Sequence, residues 1–262
     1  MLTKANGIQV NYELSGKKDG PFVILSHSLG SSLLMWNPQR KVLESHFQIL
    51  RYDIRGHGKS EAPPGVYTLD LLGEDAVALL DALGIDQVHW VGLSMGGMIG
   101  QSIALNYPKR LQSLALCDTM AAVPEEAQPI WQERIDVVRE KGVASQWEPT
   151  MERWFTPTFL TLDPYMLGVI REEFLATPAK GYLGCIYAIR KLNYLNRLSE
   201  IKIPTLIMVG EDDPGTPVAV SEAMHQRIPN SKLVIIKSAR HLSNVEQPET
   251  FNTNLLTFLQ SL

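Results

Sequence analysis

The chain runs to 262 residues, with 24 basic and 28 acidic side chains, a formal net charge of −4, and 45% hydrophobic against 20% charged residues. This is ordinary globular usage, in a length that suits one α/β unit and can bury about three quarters of its unfolded surface. It excludes a disordered, collagenous or disulfide-framework protein. A polyanion binder should be basic overall or carry a basic stripe. Here no run of Lys and Arg exceeds two residues, so no nucleic-acid partner is expected. Cys117 and Cys185 stand in apolar settings, as thiols kept reduced in a cytosol do. The opening MLTKANGIQVNYELSG lacks an apolar signal core, and the weakly polar stretch from Trp90 to Leu105 is too short to span a bilayer. A cytoplasmic location with no membrane partner is the expectation.

In chain order, Ile8 to Leu14 alternates apolar and polar residues as a half-buried strand does. Phe22 to Leu25 and Phe47 to Tyr52 are short apolar runs suited to buried strands. Leu69 to Leu83 repeats apolar residues at helical spacing and stops at Gly84, a C-cap signal. Val88 to Val91 reads as a strand, Met95 to Asn106 as a helix closed by Pro108, and Leu111 to Cys117 as a strand. Such alternation predicts a mostly parallel sheet with helices on both faces. From 122 to 196 only helical periodicity remains, punctuated by six prolines and holding Trp131, Trp147 and Trp154. Alternation then returns with strands at Thr205 to Val209 and Lys232 to Ile236, and helices at Val218 to Arg227 and from Pro248 to Leu262. The simplest architecture is an α/β core, 1–121 and 197–262, with a helical lid, 122–196, over the sheet's C-terminal edge, where open α/β sheets bind ligands.

The strongest local signal is Gly92-Leu93-Ser94-Met95-Gly96. A G-x-S-x-G match arises by chance in roughly one chain in ten of this length, but here a strand precedes it and a helix follows. A strand–Ser–helix elbow needs small residues at both glycines and lifts the serine hydroxyl above the sheet, near the positive end of the helix. The bland alternative is a glycine-rich turn with a solvent-facing serine.

A serine hydroxyl needs a base, and the base needs an orienting carboxylate. Downstream of Ser94 there are two histidines. His225 falls within a helical pattern, whereas His241 follows a strand in the loop Ser238-Ala239-Arg240-His241, so His241 is the expected base. The strand ending at Val209 runs into Gly210-Glu211-Asp212-Asp213-Pro214. Three carboxylates are in reach. Asp213 is preferred because the Pro-Gly-Thr-Pro turn behind it can fix its direction, with Asp212 second. An oxyanion hole would take the N–H of Met95, after the nucleophile, and that of Leu29, in the Ser26-His27-Ser28-Leu29-Gly30 loop. His27 and His57 precede Ser94 and are read as structural.

The pieces SHSLG, RYDIRGHGKS, VGLSMGGMIGQSIALNYPKRLQSLALCDT, VGEDDPGTP and SARHLSNVEQPE together resemble the α/β-hydrolase superfamily over essentially the whole chain. Within it, SHSLGSSLLMWNPQ, IWQERIDVVREKGVAS, RWFTP and GYLGCIYAIR resemble the 3-oxoadipate enol-lactonases of aromatic-compound degradation. After AIR the chain reads KLNYLNRL, where that pattern would carry an acidic residue early. The resemblance implies an α/β-hydrolase fold and hydrolysis of 3-oxoadipate enol-lactone to 3-oxoadipate through an acyl-enzyme on Ser94, with no metal or organic cofactor. The partner it implies is a small acidic lactone.

The lid supplies its own clue to substrate charge. On a helical wheel from Pro129 to Glu140, Trp131, Ile135, Val137 and Val138 form an apolar face, and Arg134 falls inside that arc. A cation there must find a partner. It could hold a substrate carboxylate, with Trp131 walling the pocket, or it could pair with a core acid or snorkel to water. Two further functions share the same triad: a carboxylesterase, thioesterase or perhydrolase-like enzyme, and a lactone receptor with one slow turnover.

Overall fold

The computed structural model describes residues 1–162 and 164–262. Among these, eight strands form one sheet: β1 (Leu2–Ala5), β2 (Ile8–Gly16), β3 (Phe22–Ser26), β4 (Gln48–Tyr52), β5 (Val88–Leu93), β6 (Leu111–Cys117), β7 (Thr205–Gly210) and β8 (Ser231–Ile236). Their spatial order is β1-β2-β4-β3-β5-β6-β7-β8. β1 and β2 run antiparallel to their neighbours, and the six strands from β4 to β8 are mutually parallel. Central strands such as β5 are buried along their whole length. That is why they read as unbroken apolar runs rather than as alternation. The β8 edge is half-exposed and presents Lys232 to solvent, which discourages further pairing.

The antiparallel start is an addition to the sequence-based expectation. β1 pairs with β2 across Asn6-Gly7, whose φ angles of 43° and 80° suit the tight hairpin turn that Asn-Gly favours. Between the strands of the first half run α1 (Asn37–Leu43), α2 (Leu69–Ala82) and α3 (Met95–Asn106), of which α2 and α3 pack together. Thr68 caps α2 by accepting the Leu71 N–H, and Gly84, at φ 68°, lets the chain turn away beyond its end.

Between β6 and β7 the chain leaves the sheet for α4 (Gln128–Lys141), α5 (Trp147–Trp154), α6 (Pro157–Leu162), α7 (Tyr165–Ala176) and α8 (Ala179–Arg190). No strand of the sheet lies among the described residues of 118–204. The two ends of this segment meet in an antiparallel bridge, Ala122 with Asn193. Its centre is aromatic: buried Phe174 meets Trp147, Trp154 and Tyr182 edge-on. The segment sits hard on the core at Gly181, where an added Cβ would stand 2.1 Å from the Gly56 carbonyl oxygen. The chain ends with α9 (Val218–His225), α10 (Ser243–Glu246) and α11 (Pro248–Gln260), which packs against α1. None of the described helices is long and apolar enough to cross a membrane.

Candidate active site

Ser94 sits at the turn between β5 and α3 with φ 54° and ψ −116°. For a residue with a Cβ this is strained backbone, costing on the order of 1–3 kcal/mol, which persists only where the surroundings enforce it. They do so here. The Ser94 N–H donates to the Cys117 carbonyl at 2.8 Å, its own carbonyl accepts from Thr119 Oγ1 at 2.7 Å, and the Gly96 N–H donates to the His27 carbonyl at 3.1 Å. The two glycines are required by backbone contact. A Cβ on Gly92 would stand 2.1 Å from the Gly96 oxygen, and one on Gly96 would stand 2.1 Å from the Ser26 oxygen.

Three side chains from three loops at the sheet's C-terminal edge meet above this turn. The Ser94 hydroxyl lies 2.9 Å from His241 Nε2, and His241 Nδ1 lies 2.7 Å from Asp213 Oδ2. Asp213 is fixed in turn. Its Oδ1 accepts from the Gly215 and Thr216 N–H groups at 2.8 and 3.1 Å, and its Oδ2 accepts from Thr216 Oγ1 at 2.5 Å. Asp212 and Glu211 point to solvent, and His225 bonds Ser231 Oγ at the surface. Of the alternatives open in the sequence, the geometry joins Asp213 and His241 to Ser94. Burial disfavours the imidazolium, yet the Asp213 charge and hydrogen bond outweigh it and hold His241 above its ordinary value. Burial likewise works to raise the Asp213 carboxyl, and His241 with Thr216 overcomes it, leaving the carboxyl below its ordinary value.

The Leu29 loop is pinned on both sides of that residue. The Ser28 N–H points at Met35 Sδ, 3.4 Å away, and the Gly30 N–H donates to His57 Nε2 at 2.9 Å. His27 Nε2 accepts from the Ile54 N–H at 2.9 Å, which leaves its Nδ1–H to donate to the Ser28 carbonyl at 2.8 Å. Burial pushes His27 down to about 4, and burial together with His27 pushes His57 down to about 3, so both rings stay neutral. They hold the loop and take no part in the relay. Leu29 lines the same cavity as Ser94, and Met95 is the first residue of α3, where a backbone N–H has no intrahelical acceptor.

That cavity, about 110 Å³, has a floor of Leu29, Ser94, Thr216 and His241 and a roof of Trp131, Arg134, Arg153, Trp154 and Tyr182 from α4, α5 and α8. Arg134 lies over Trp131, its guanidinium carbon 4.8 Å from the ring centroid. The helical wheel of 129–140 points to Arg134 alone, and Arg153, in RWFTP, is a second lining cation that it does not reach. Arg153 is half-buried, bonds Thr150 Oγ1 at 2.9 Å, and is pushed down to about 10 by burial and then by the neighbouring Arg134 charge. Its place on α5 could have been read from the helical spacing of Thr150, Met151 and Trp154, the residues buried on that helix.

A second omission is Asp118, after β6. It is fully buried at φ 43°, and its two oxygens accept from the Gly210 N–H at 2.8 Å and the Ser243 hydroxyl at 2.6 Å. It thereby ties the loop that carries Asp213 to the segment that carries His241. Burial, and then the Asp213 charge, push it up to about 8. Cys117 and Cys185 are buried free thiols. Among the described residues no cluster of three or more His, Cys, Asp or Glu is placed to hold a metal ion.

Comparison with known proteins adds three relatives. The family model for the alpha/beta hydrolase fold matches residues 21–248. The chain is 38% identical to 3-oxoadipate enol-lactonase 2 of Acinetobacter baylyi, over 95% of this chain and 92% of that one. It is 30% identical to a putative carbamate hydrolase RutD of Caulobacter segnis, over 91% of each. The crystal structure of the enol-lactonase from Burkholderia xenovorans LB400 superposes with a TM-score of 0.96 at 34% identity, covering 99% of this chain and 100% of that one.

Proposed function

The chain belongs to the alpha/beta hydrolase fold family, and from that premise we propose that it hydrolyses a carboxylate-bearing enol-lactone, of the 3-oxoadipate enol-lactone kind, through an acyl-enzyme on Ser94. The observation that carries the reading is the unbroken relay of 2.9 and 2.7 Å from Ser94 through His241 to Asp213, opening into a cavity whose roof holds guanidinium groups. Ser94 Oγ attacks the ring carbonyl as His241 Nε2 takes its proton. The carbonyl oxygen becomes an oxyanion, which the Leu29 and Met95 N–H groups would receive. Collapse expels the ring oxygen as an enol that stays tethered to the acyl group. His241 then activates a water, the acyl–Ser94 bond breaks, and the enol tautomerises to the ketone. Asp213 holds the imidazole with Nδ1 protonated and Nε2 free to accept, and it stabilises the imidazolium. The helices of 122–196 serve as a lid that excludes water from these steps, and Arg134, stacked on Trp131, takes the substrate carboxylate. Names given to the relatives from Acinetobacter and Burkholderia agree with this chemistry.

The test compares kcat/KM for the enol-lactone and for a neutral ester of similar size. The enol-lactone is expected to be preferred over many turnovers, and Ser94→Ala to abolish both reactions. A preference for the neutral ester would favour a second reading, hydrolysis of an uncharged ester or carbamate by the same relay, which the name of the Caulobacter relative supports. One slow turnover would point to a receptor instead.

A further inference from the structure

The roof of the cavity carries two guanidinium groups, Arg134 and Arg153, and the cavity lining includes no Asp or Glu side chain. Neither arginine forms an ion pair among the described residues. Arg153 bonds the neutral Thr150 hydroxyl, Arg134 shares the cavity wall with Tyr182, and the nearby acid Glu152 is exposed to solvent and forms no ion pair with Arg153. They also feel each other, since the charge of Arg134 helps to lower Arg153. Two like charges held together in a part-buried cavity without a counter-ion destabilise the empty protein, and that cost is relieved when an anion enters. A single carboxylate has acceptor sites enough for both forks.

A lactone brings one carboxylate to that roof. Its hydrolysis makes a second one at the floor, where the acyl carbon has just left Ser94. The carboxylic acid formed there passes its proton to His241 Nε2, and the resulting carboxylate lies against the Leu29 and Met95 N–H groups and the imidazolium that Asp213 stabilises. The product is therefore matched to both ends of the cavity, whereas the substrate is matched to one. We propose that Arg134 and Arg153 form one two-armed anion site, and that the cavity retains linear dicarboxylates, the hydrolysis product among them, so that the enzyme is inhibited by its own product. This deepens the proposed function and rests on it for the identity of the product, but the site itself is independent of which ester is cleaved.

The test follows hydrolysis of a neutral p-nitrophenyl ester by the full chain, so it does not depend on enol-lactone turnover. Succinate, glutarate, adipate and hexanoate are added in turn, and competitive inhibition constants are compared. One of the dicarboxylates is expected to bind about ten- to a hundredfold more tightly than hexanoate, the range for one added charge-assisted contact. In Arg153→Met and Arg134→Met, that ratio should collapse toward unity, each measured within its own protein so that changes in basal rate cancel. Equal inhibition by hexanoate and all the dicarboxylates in the parent would overturn the proposal without any variant. A ratio unchanged in Arg153→Met would overturn the two-armed site. Adipate inhibition without enol-lactone turnover would leave the site standing and sink the substrate assignment.

Discussion

Asp213→Asn probes the relay at its least replaceable point. Each carboxylate oxygen has its own donors: Oδ1 takes the Gly215 and Thr216 N–H groups at 2.8 and 3.1 Å, and Oδ2 takes His241 Nδ1–H at 2.7 Å and the Thr216 hydroxyl at 2.5 Å. An amide has only one acceptor oxygen. The backbone donors cannot rotate, so the oxygen must stay on their side and the NH2 must face His241. The Thr216 hydroxyl can turn to accept. The imidazole can answer an N–H donor only by presenting Nδ1 as an acceptor, which places its proton on Nε2, aimed at Ser94. A ring in that tautomer cannot take the serine proton. The expected fall in kcat is about 10⁴, or about 5 kcal/mol of barrier. Asp212→Asn, at an exposed site, should stay within about twofold of the parent. The assay is steady-state hydrolysis of the enol-lactone and of a p-nitrophenyl ester, with circular dichroism to show that the fold is kept. If Asp213→Asn stayed within tenfold of the parent, or if Asp212→Asn were the damaging change, the reasoning would fail.

Ser94→Ala should remove at least about 10⁴ of kcat on either substrate while leaving the melting curve near that of the parent, and activity within tenfold would refute its role. Gly96→Ala puts a Cβ 2.1 Å from the Ser26 oxygen, a backbone atom that cannot swing away, so a loss of about 2 kcal/mol or more in denaturant unfolding is expected together with loss of activity; unchanged stability would mean the turn is looser than described. Because His241 must be neutral to act as base and lies above its ordinary value, kcat/KM should climb with pH through an apparent pKa above about 6.5, and the corresponding limb should move down in Asp213→Asn. Asp118, held at about 8 by burial and by the Asp213 charge, keeps a proton that the unfolded chain has lost above about 4. Its contribution to stability is thus full below about 4 and fades as the pH climbs to about 8. Asp118→Asn should gain melting temperature relative to the parent between pH 5 and pH 8.5, and a change of the opposite sign would refute this.

The three side chains that meet above the β5–α3 turn could be found in the sequence because each is bound to a local rule. Ser94 lies between glycines that backbone contact demands, His241 follows a strand end, and Asp213 opens a turn that its own carboxylate closes. The choice of Asp213 over Asp212 was legible only through Pro214 and Gly215, since composition treats adjacent acids alike. β1 escaped because four residues give too short an alternation, although Asn6-Gly7 was a usable hairpin signal. Asp118 and Arg153 escaped for a different reason. Each has its role through partners distant in sequence: Gly210 and Ser243 for Asp118, and Arg134 across the cavity for Arg153. Helical spacing can show that a cation faces inward, but not that a second one faces the same space.

On the proposed function, the layout of charge along the cavity would orient a carboxylate-bearing ester before any chemistry occurs. At the floor, Asp213 supplies negative charge behind His241, and at the roof Arg134 and Arg153 supply positive charge. At an effective dielectric near 20, one charge pair at about 4 Å is worth about 4 kcal/mol, so an ester that enters carboxylate-first toward the floor forgoes several kcal/mol of guanidinium attraction and puts its carboxylate where its carbonyl must lie. On that reading the pose with its carbonyl over Ser94 is the one the field would select. Asp118 bears on the same balance. Were it ionised beside Asp213, two carboxylates would stabilise the imidazolium and hold the proton that the base must shed. Burial, and then the Asp213 charge, push Asp118 up to about 8 against the opposing pull of His241, and this favours its neutral form at neutral pH. One negative charge then stands behind the histidine, enough to fix its tautomer without trapping its proton, while Asp118 still ties the Gly210 loop to Ser243.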